Sequence, residues 1–294
     1  MHRPFRFLWA ALALAGVWFA ASAAPAADEE PPALREMTVL DRRNLEANLR
    51  WMLARERATR VADAAGKKSA RSRVGVFADA GCWHVGVTSI TDALERVGVP
   101  CRALDQTSIT AEGLAGLEAI VFPGGWAPFE FAALPTTGGA AIRAFAERGG
   151  HVLGICAGAY LLSKQVVWEG HEFPYPIALF DGDARGPLPG FAPWPGRSPA
   201  RLKVTKAGAS RGLESLAMHD VLYYGGATFA GGSEMTVLAT YADGGSSIVV
   251  RPVGKGEVIL CSAHLERPSP ADGGDDAAPP SLSGPWLKAL LGVR

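Results

Sequence analysis

The segment Gly154-Ile-Cys-Ala-Gly158 constrains this chain more than any other. It completes the apolar run Val152-Leu-Gly-Ile155, which reads as a buried strand, and leads into Ala157 to Ser163, which reads as a helix. Small residues on both flanks let the backbone reverse sharply between the two elements, lifting the central side chain above a sheet. A thiol at that point also lies at a helix N-terminus, where the dipole favours thiolate. Cys156 is therefore either an activated nucleophile or a structural cysteine in a tight turn.

The surrounding pattern extends this strand–turn–helix unit into an α/β fold. Val74-Gly-Val-Phe-Ala78, Cys101-Arg-Ala-Leu104 and Ala119-Ile-Val-Phe122 are short apolar runs bounded by turn residues. Helical stretches at about Val87 to Val97 and Gly139 to Arg148 separate them. Strands alternating with helices predict a mostly parallel, flavodoxin-like sheet flanked by helices and joined by right-handed crossovers. The segment Trp168 to Arg201 is rich in Pro, Gly and aromatic residues and is expected to form ordered loops or short hairpins. Further strands are expected near Leu202–Thr205, Val221–Tyr224, Met235–Tyr241, Ser247–Val250 and Gly256–Leu260, with a short helix near Pro285–Leu291.

Two segments precede this domain. His2, Arg3 and Arg6, the apolar run Phe7 to Ala21, small residues to Ala27 and then Asp28-Glu-Glu30 follow the order of a secretory signal peptide. The apolar run is short of the roughly 20 residues that span a bilayer. Cleavage between Ala23 and Ala27 is expected, giving a periplasmic or secreted protein with no stable membrane insertion afterwards. Residues 28–72 are expected to form a helical arm and linker, with Leu45, Leu49, Met52 and Leu53 at helical spacing as its packing face. The main domain spans 73–294.

Charge excludes one large class of partner. Lys plus Arg and Asp plus Glu both number 29, so no electrostatic footprint for nucleic acid exists. No His or Cys spacing matches a metal site, and no cofactor is expected. Of the four cysteines, Cys82 and Cys101 flank the first helix of the domain and either form a local disulfide or stay free.

Two further patterns join the Cys156 turn. Phe122-Pro-Gly-Gly125 ends a strand, and glycines there allow close backbone approach; the N–H groups of Gly125 and Ala157 are candidate oxyanion donors, with Gly124 beside them. His264-Leu-Glu266 follows the strand ending at Ser262. Spacing of two in an extended segment puts both side chains on one side, so Glu266 can orient His264, and His264 can take a proton from Cys156 and later return it.

Together the Cys turn, the upstream Gly-Gly turn and the C-terminal His-x-Glu resemble the class I glutamine amidotransferase superfamily, over about Arg73 to Glu266. Within it, Pro123-Gly-Gly125, Gly154-Ile-Cys-Ala-Gly-Ala-Tyr160 and Phe180-Asp-Gly-Asp-Ala-Arg-Gly-Pro187 resemble most closely the biotin–protein ligase N-terminal domain family. That resemblance implies neither biotin nor ligase chemistry, since no ligase domain is present. It implies a Cys156–His264–Glu266 amidohydrolase-like site for a small-molecule or peptide substrate, with Tyr160 and Asp183 as further candidates for binding. Asp181, Asp183 and Arg185 either line the pocket or pin their loop by an ion pair. His84 is either a polar contact in the site or a surface histidine. Trp126, Trp168, Tyr175 and Trp194 form either an aromatic rim for a ligand or local cores. A non-catalytic ligand-binding protein on the same fold is the alternative function; oligomeric state is not legible.

Overall fold

A computed structural model describes residues 32–64, 71–213, 220–269 and 279–293. The segment read as a signal peptide and most of the polar linker lie outside the described residues. The first half comprises α1 (Pro32–Ala64), β1 (Val74–Phe77), α2 (His84–Arg96), β2 (Cys101–Leu104), β3 (Ala119–Phe122), α3 (Ala127–Ala133), α4 (Gly138–Glu147), β4 (His151–Ile155) and α5 (Ala157–Leu162). The second half is β5 (Ser163–Trp168), β6 (His171–Pro174), β7 (Phe180–Gly186), β8 (Ser198–Val204), α6 (Lys206–Ser210), β9 (Asp220–Tyr223), β10 (Thr228–Ala230), β11 (Thr236–Tyr241), β12 (Ser246–Val253), β13 (Gly256–Cys261), β14 (His264–Pro268) and α7 (Ser283–Leu291).

Ten strands form one sheet in the order β14-β9-β8-β11-β12-β13-β4-β3-β1-β2. From β13 to β2 every neighbour is parallel. From β14 to β13 every neighbour is antiparallel. The protein is thus α/β with a large mixed sheet, and the expectation of a mostly parallel, flavodoxin-like sheet is corrected. The cause is local. Helices α2 and α4 separate the parallel strands, whereas Gly254-Lys255 alone joins β12 to β13, and so short a link allows only an antiparallel neighbour.

Burial follows the same division. Ile120, Val121, Leu153, Ile155, Ile259 and Leu260 are fully buried, as strands covered on both faces require. Each such side chain contributes about 1.5–3 kcal/mol, and truncating one, Leu153 for example, costs about 2–5 kcal/mol. The segment from Trp168 to Arg201, expected to form loops or short hairpins, supplies β6 and β7, and β6 forms a hairpin with the preceding β5. With β10 they make a second, four-stranded sheet in the order β10-β7-β5-β6. Because β5 starts directly after α5, this sheet stands over the Cys156 turn.

The arm forms as a helix whose inner face keeps Leu45 and Met52 of the expected set but not Leu49 and Leu53. Leu49 and Leu53 are 45% and 53% exposed, while Asn48 is fully buried. Met37, Asp41, Asn44, Leu45, Asn48, Met52 and Arg55 recur every three or four residues on the side turned to the domain. Its contacts there are largely polar: Asp41, Asn44 and Asn48 bond to residues 81–84, and Arg55 bonds to Glu95. Among the described residues no helix is long and apolar enough to cross a membrane.

Candidate active site

Cys156 sits at the turn between β4 and α5 with φ +50° and ψ −106°. A side chain in that region of backbone space is strained by about 1–3 kcal/mol, and the surroundings must hold it there. They do so through two backbone bonds. Cys156 N–H donates to Cys261 O at 2.8 Å, and Gly158 N–H donates to Pro123 O at 3.1 Å. The second bond explains Gly158, since a β-carbon there would lie 2.1 Å from Phe122 O. The thiol is 6% exposed and donates to Tyr224 O at 3.3 Å.

His264 and Glu266 lie two residues apart on β14, both buried, with Nδ1 and Oε1 2.8 Å apart. Burial alone lowers an imidazole pKa, but the Glu266 carboxylate and the neighbouring Cys156 sulfur outweigh it and raise His264 to about 10. The second ring nitrogen, Nε2, is buried and lacks a protein hydrogen-bond partner of good geometry. Trp83 packs edge-on against the ring at 5.4 Å and 87°. The imidazole is therefore fixed in orientation and charged, with one nitrogen left for chemistry.

The Gly124-Gly125 turn completes the arrangement. Gly125 and Cys82 form an isolated antiparallel bridge, made by Trp83 N–H to Gly124 O (2.8 Å) and Trp126 N–H to Gly81 O (2.7 Å). Such a pair is bonded through its neighbours, so the N–H of Gly125 points away from the 81–83 loop. Only glycine fits: φ is +156°, and a β-carbon would lie 1.8 Å from Gly81 O. Among the described residues neither the Gly125 nor the Ala157 N–H donates a hydrogen bond. Both residues line the same cleft as Cys156 and His264.

That cleft is walled by aromatic rings. Trp83, Trp126, Tyr160, Trp168, Tyr175, Trp194 and Tyr224 all line it, so the four aromatic residues singled out from sequence do converge. Trp126 stacks on Trp194 at 6.1 Å, Trp168 meets Trp194 edge-on at 5.3 Å, and Trp194 stacks on Tyr224 at 5.1 Å. Tyr160 is buried and donates to Gly225 O at 3.1 Å.

Asp183 lies elsewhere. Along β7 the odd-numbered residues face outward, and Asp183 pairs with Arg185 at 2.5 Å, away from the cleft. Asp181 pins its segment through Ser233. His84 is held by Asn48 at 2.7 Å and does not line the cleft. All four cysteines are free and buried, so Cys82 and Cys101 form no disulfide. Among the described residues no cluster of His, Cys, Asp and Glu could hold a metal ion. His151 pairs with Glu257 at the far end of β4 from Cys156.

Two groups carry no signal in the sequence. Tyr224 O, which accepts from the thiol, is a backbone atom. Glu130 of α3 is fully buried with neither carboxyl oxygen hydrogen-bonded. Burial pushes its pKa well up, with Cys156 and Asp41 adding to the rise, so the carboxyl is neutral.

A family model described as "Biotin-protein ligase, N terminal" matches residues 72–277. The chain belongs to that family. Solved structures place this member of the biotin–protein ligase N-terminal family among glutamine amidotransferase-like folds. A crystal structure titled glutamine amidotransferase is 22% identical with a TM-score of 0.53, covering 76% of this chain and 100% of that one. A Thermoplasma acidophilum protein, titled as one of the subunits of a GMP synthase, is 15% identical with a TM-score of 0.48, covering 76% and 94%. Identity this low speaks for the fold alone, and of these two only the first likeness has the structural overlap to do so. No curated protein matches the chain. The family match begins after α1, at residue 72.

Proposed function

We propose that this member of the biotin–protein ligase N-terminal family is an exported Cys-His-Glu hydrolase acting on a carboxamide, peptide or small acyl substrate. One observation carries the reading: Cys156, the His264–Glu266 pair and two unused backbone N–H groups face a single aromatic cleft. With the Cys156 proton held on His264, the thiolate attacks the acyl carbon, and the carbonyl π electrons move to oxygen, where the Gly125 and Ala157 N–H groups receive the charge. His264, protonated, gives its proton to the departing amine as the C–N bond breaks, leaving a thioester. Water then attacks the thioester, His264 takes its proton, and the C–S bond breaks to release the carboxylic acid and restore the thiolate beside protonated His264. Glu266 orients the ring and supports its charge throughout.

The wall supports an uncharged acyl group over free glutamine. A free α-amino and α-carboxylate pair would lose its water against tryptophan rings, a cost of several kcal/mol unless each charge is paired. Export rests on the charged, apolar and small-residue order of the first thirty positions. The test is acetyl transfer from p-nitrophenyl acetate to the mature chain. An acetyl adduct on Cys156, seen by mass spectrometry and absent from Cys156→Ala, is expected. A wild-type chain that forms no adduct sinks the catalytic reading.

A second reading has its own support. The thiol donates to Tyr224 O at 3.3 Å, a resting contact that suits a cleft used for ligand capture. On that reading Cys156→Ala binds the same small molecules as wild type.

A further inference from the structure

Helix α1 lies outside the family match, yet its polar face reaches the loop that borders the Cys156 cleft. Three side chains spaced by three and four residues do this. Asp41 Oδ1 accepts from Gly81 N–H at 2.6 Å, and Asn44 Oδ1 accepts from His84 N–H at 3.0 Å. Asn48 is fully buried and makes two contacts: Nδ2 donates to Cys82 O at 3.3 Å, and Oδ1 lies 2.7 Å from His84 Nδ1. Since the amide oxygen of Asn48 can only accept, His84 carries its proton on Nδ1.

The loop so held is the one that sets the Gly125 turn. Gly81 O takes the Trp126 N–H, and Trp83 N–H goes to Gly124 O, one bond on each side of Gly125. A chain of hydrogen bonds therefore runs from the arm to the loop and from the loop to the turn. Met37, Trp51 and Met52 pack against the core along the arm, and between them Asp41, Asn44 and Asn48 make the polar part of the joint.

We propose that α1 is a positioning element for acyl transfer: Asp41, Asn44 and Asn48 hold the 81–84 loop, and through it aim the Gly125 N–H at the developing oxyanion. This rests on the reading of Cys156 as nucleophile. The arm residues touch no substrate; they act through the loop.

Two reactions of the same sulfur separate the proposal from a purely structural role. Alkylation by iodoacetamide forms a C–S bond and expels iodide, with no oxyanion, so it reports the thiol and His264 alone. Acetylation by p-nitrophenyl acetate forms a tetrahedral oxyanion before p-nitrophenolate leaves, so it also reports Gly125. In the mature full chain, Asn48→Ala and Asp41→Ala are expected to lower the acetylation rate constant at least tenfold. Their alkylation rates should stay within twofold of wild type. Asp41→Asn keeps an acceptor oxygen and is expected to recover most of the loss, and Val61→Ala, on the exposed side of the arm at 70% exposure, serves as the control. Folded variants that acetylate at the wild-type rate overturn the proposal, as do variants that lose both reactions equally. Faster amide exchange at Gly125 in Asn48→Ala, measured by NMR, supports it independently of turnover, and unchanged exchange overturns it. A wild-type chain that alkylates but does not acetylate overturns the nucleophile reading instead, and the arm proposal with it.

Discussion

The imidazole of His264 rests against the α-carbon of Gly124, so closely that a β-carbon there would come within 2.3 Å of Cε1. The turn that presents Gly125 to the cleft therefore also sets the height of the imidazole through its neighbour.

Gly124→Ala is expected to displace the ring without dismantling the sheet. One added methyl against a buried ring costs about 1–3 kcal/mol, seen as a fall of a few degrees in melting temperature. Alkylation and acetylation of Cys156 should both drop at least tenfold, unlike the arm variants, because the base itself moves. Rates within twofold of wild type would show that His264 does not serve the sulfur.

His264 gives a pH dependence with a definite sign. Its folded pKa, raised to about 10, exceeds the unfolded value near 6.5. The stabilisation it provides is fully present below about pH 6.5 and is lost as pH rises through about 10. The imidazolium thus persists beside the sulfur across the neutral range. The ratio of wild-type to His264→Ala alkylation rates by iodoacetamide is expected to be tenfold or more at pH 7 and to shrink toward one above pH 10. A ratio near one at pH 7 contradicts this.

Glu130 shifts the same way for a different reason. Its carboxyl is raised because burial penalises the charge. The unfolded chain releases that proton near pH 4.5, so the group costs stability increasingly as pH climbs above that point. Glu130→Gln keeps the shape and does not titrate. Urea unfolding at pH 5 and pH 8 should show the variant gaining on wild type at the higher pH. An equal difference at both pH values would mean that Glu130 ionises in the folded protein.

Much of the parallel half was legible in the sequence because buried strands read as uninterrupted apolar runs. Val74–Phe77, Ala119–Phe122 and His151–Ile155 are such cases, and their order yields an α/β fold. The Cys156, His264 and Glu266 arrangement was legible because each sits at the end of one of these runs or just beyond it. Strand β7 was not individually legible, since Trp, Pro and Gly between Trp168 and Arg201 mask the alternation that it displays once paired. The arm's inner face is hidden in part for a related reason: Leu45 and Met52 turn inward as their spacing suggests, but the polar Asp41, Asn44 and Asn48 share that face through hydrogen bonds that apolar periodicity does not register. The motif around Asp183 points it at the cleft, whereas the alternation along β7 turns it outward.

Strand β13 lies between β12 and β4, and Cys261 carries the carbonyl that fixes the Cys156 turn. It reaches this place from the far end of the chain, across more than one hundred residues from its partner β4, as the pairing of Glu257 with His151 shows. Contacts so distant in sequence are slow to form. Until they form, Cys156 has neither its backbone anchor nor His264, which follows β13 within a few residues. Under the proposed acyl-transfer role, the sulfur is thus withheld from nascent and partly folded chains, and it meets His264 only once β13 has closed against β4.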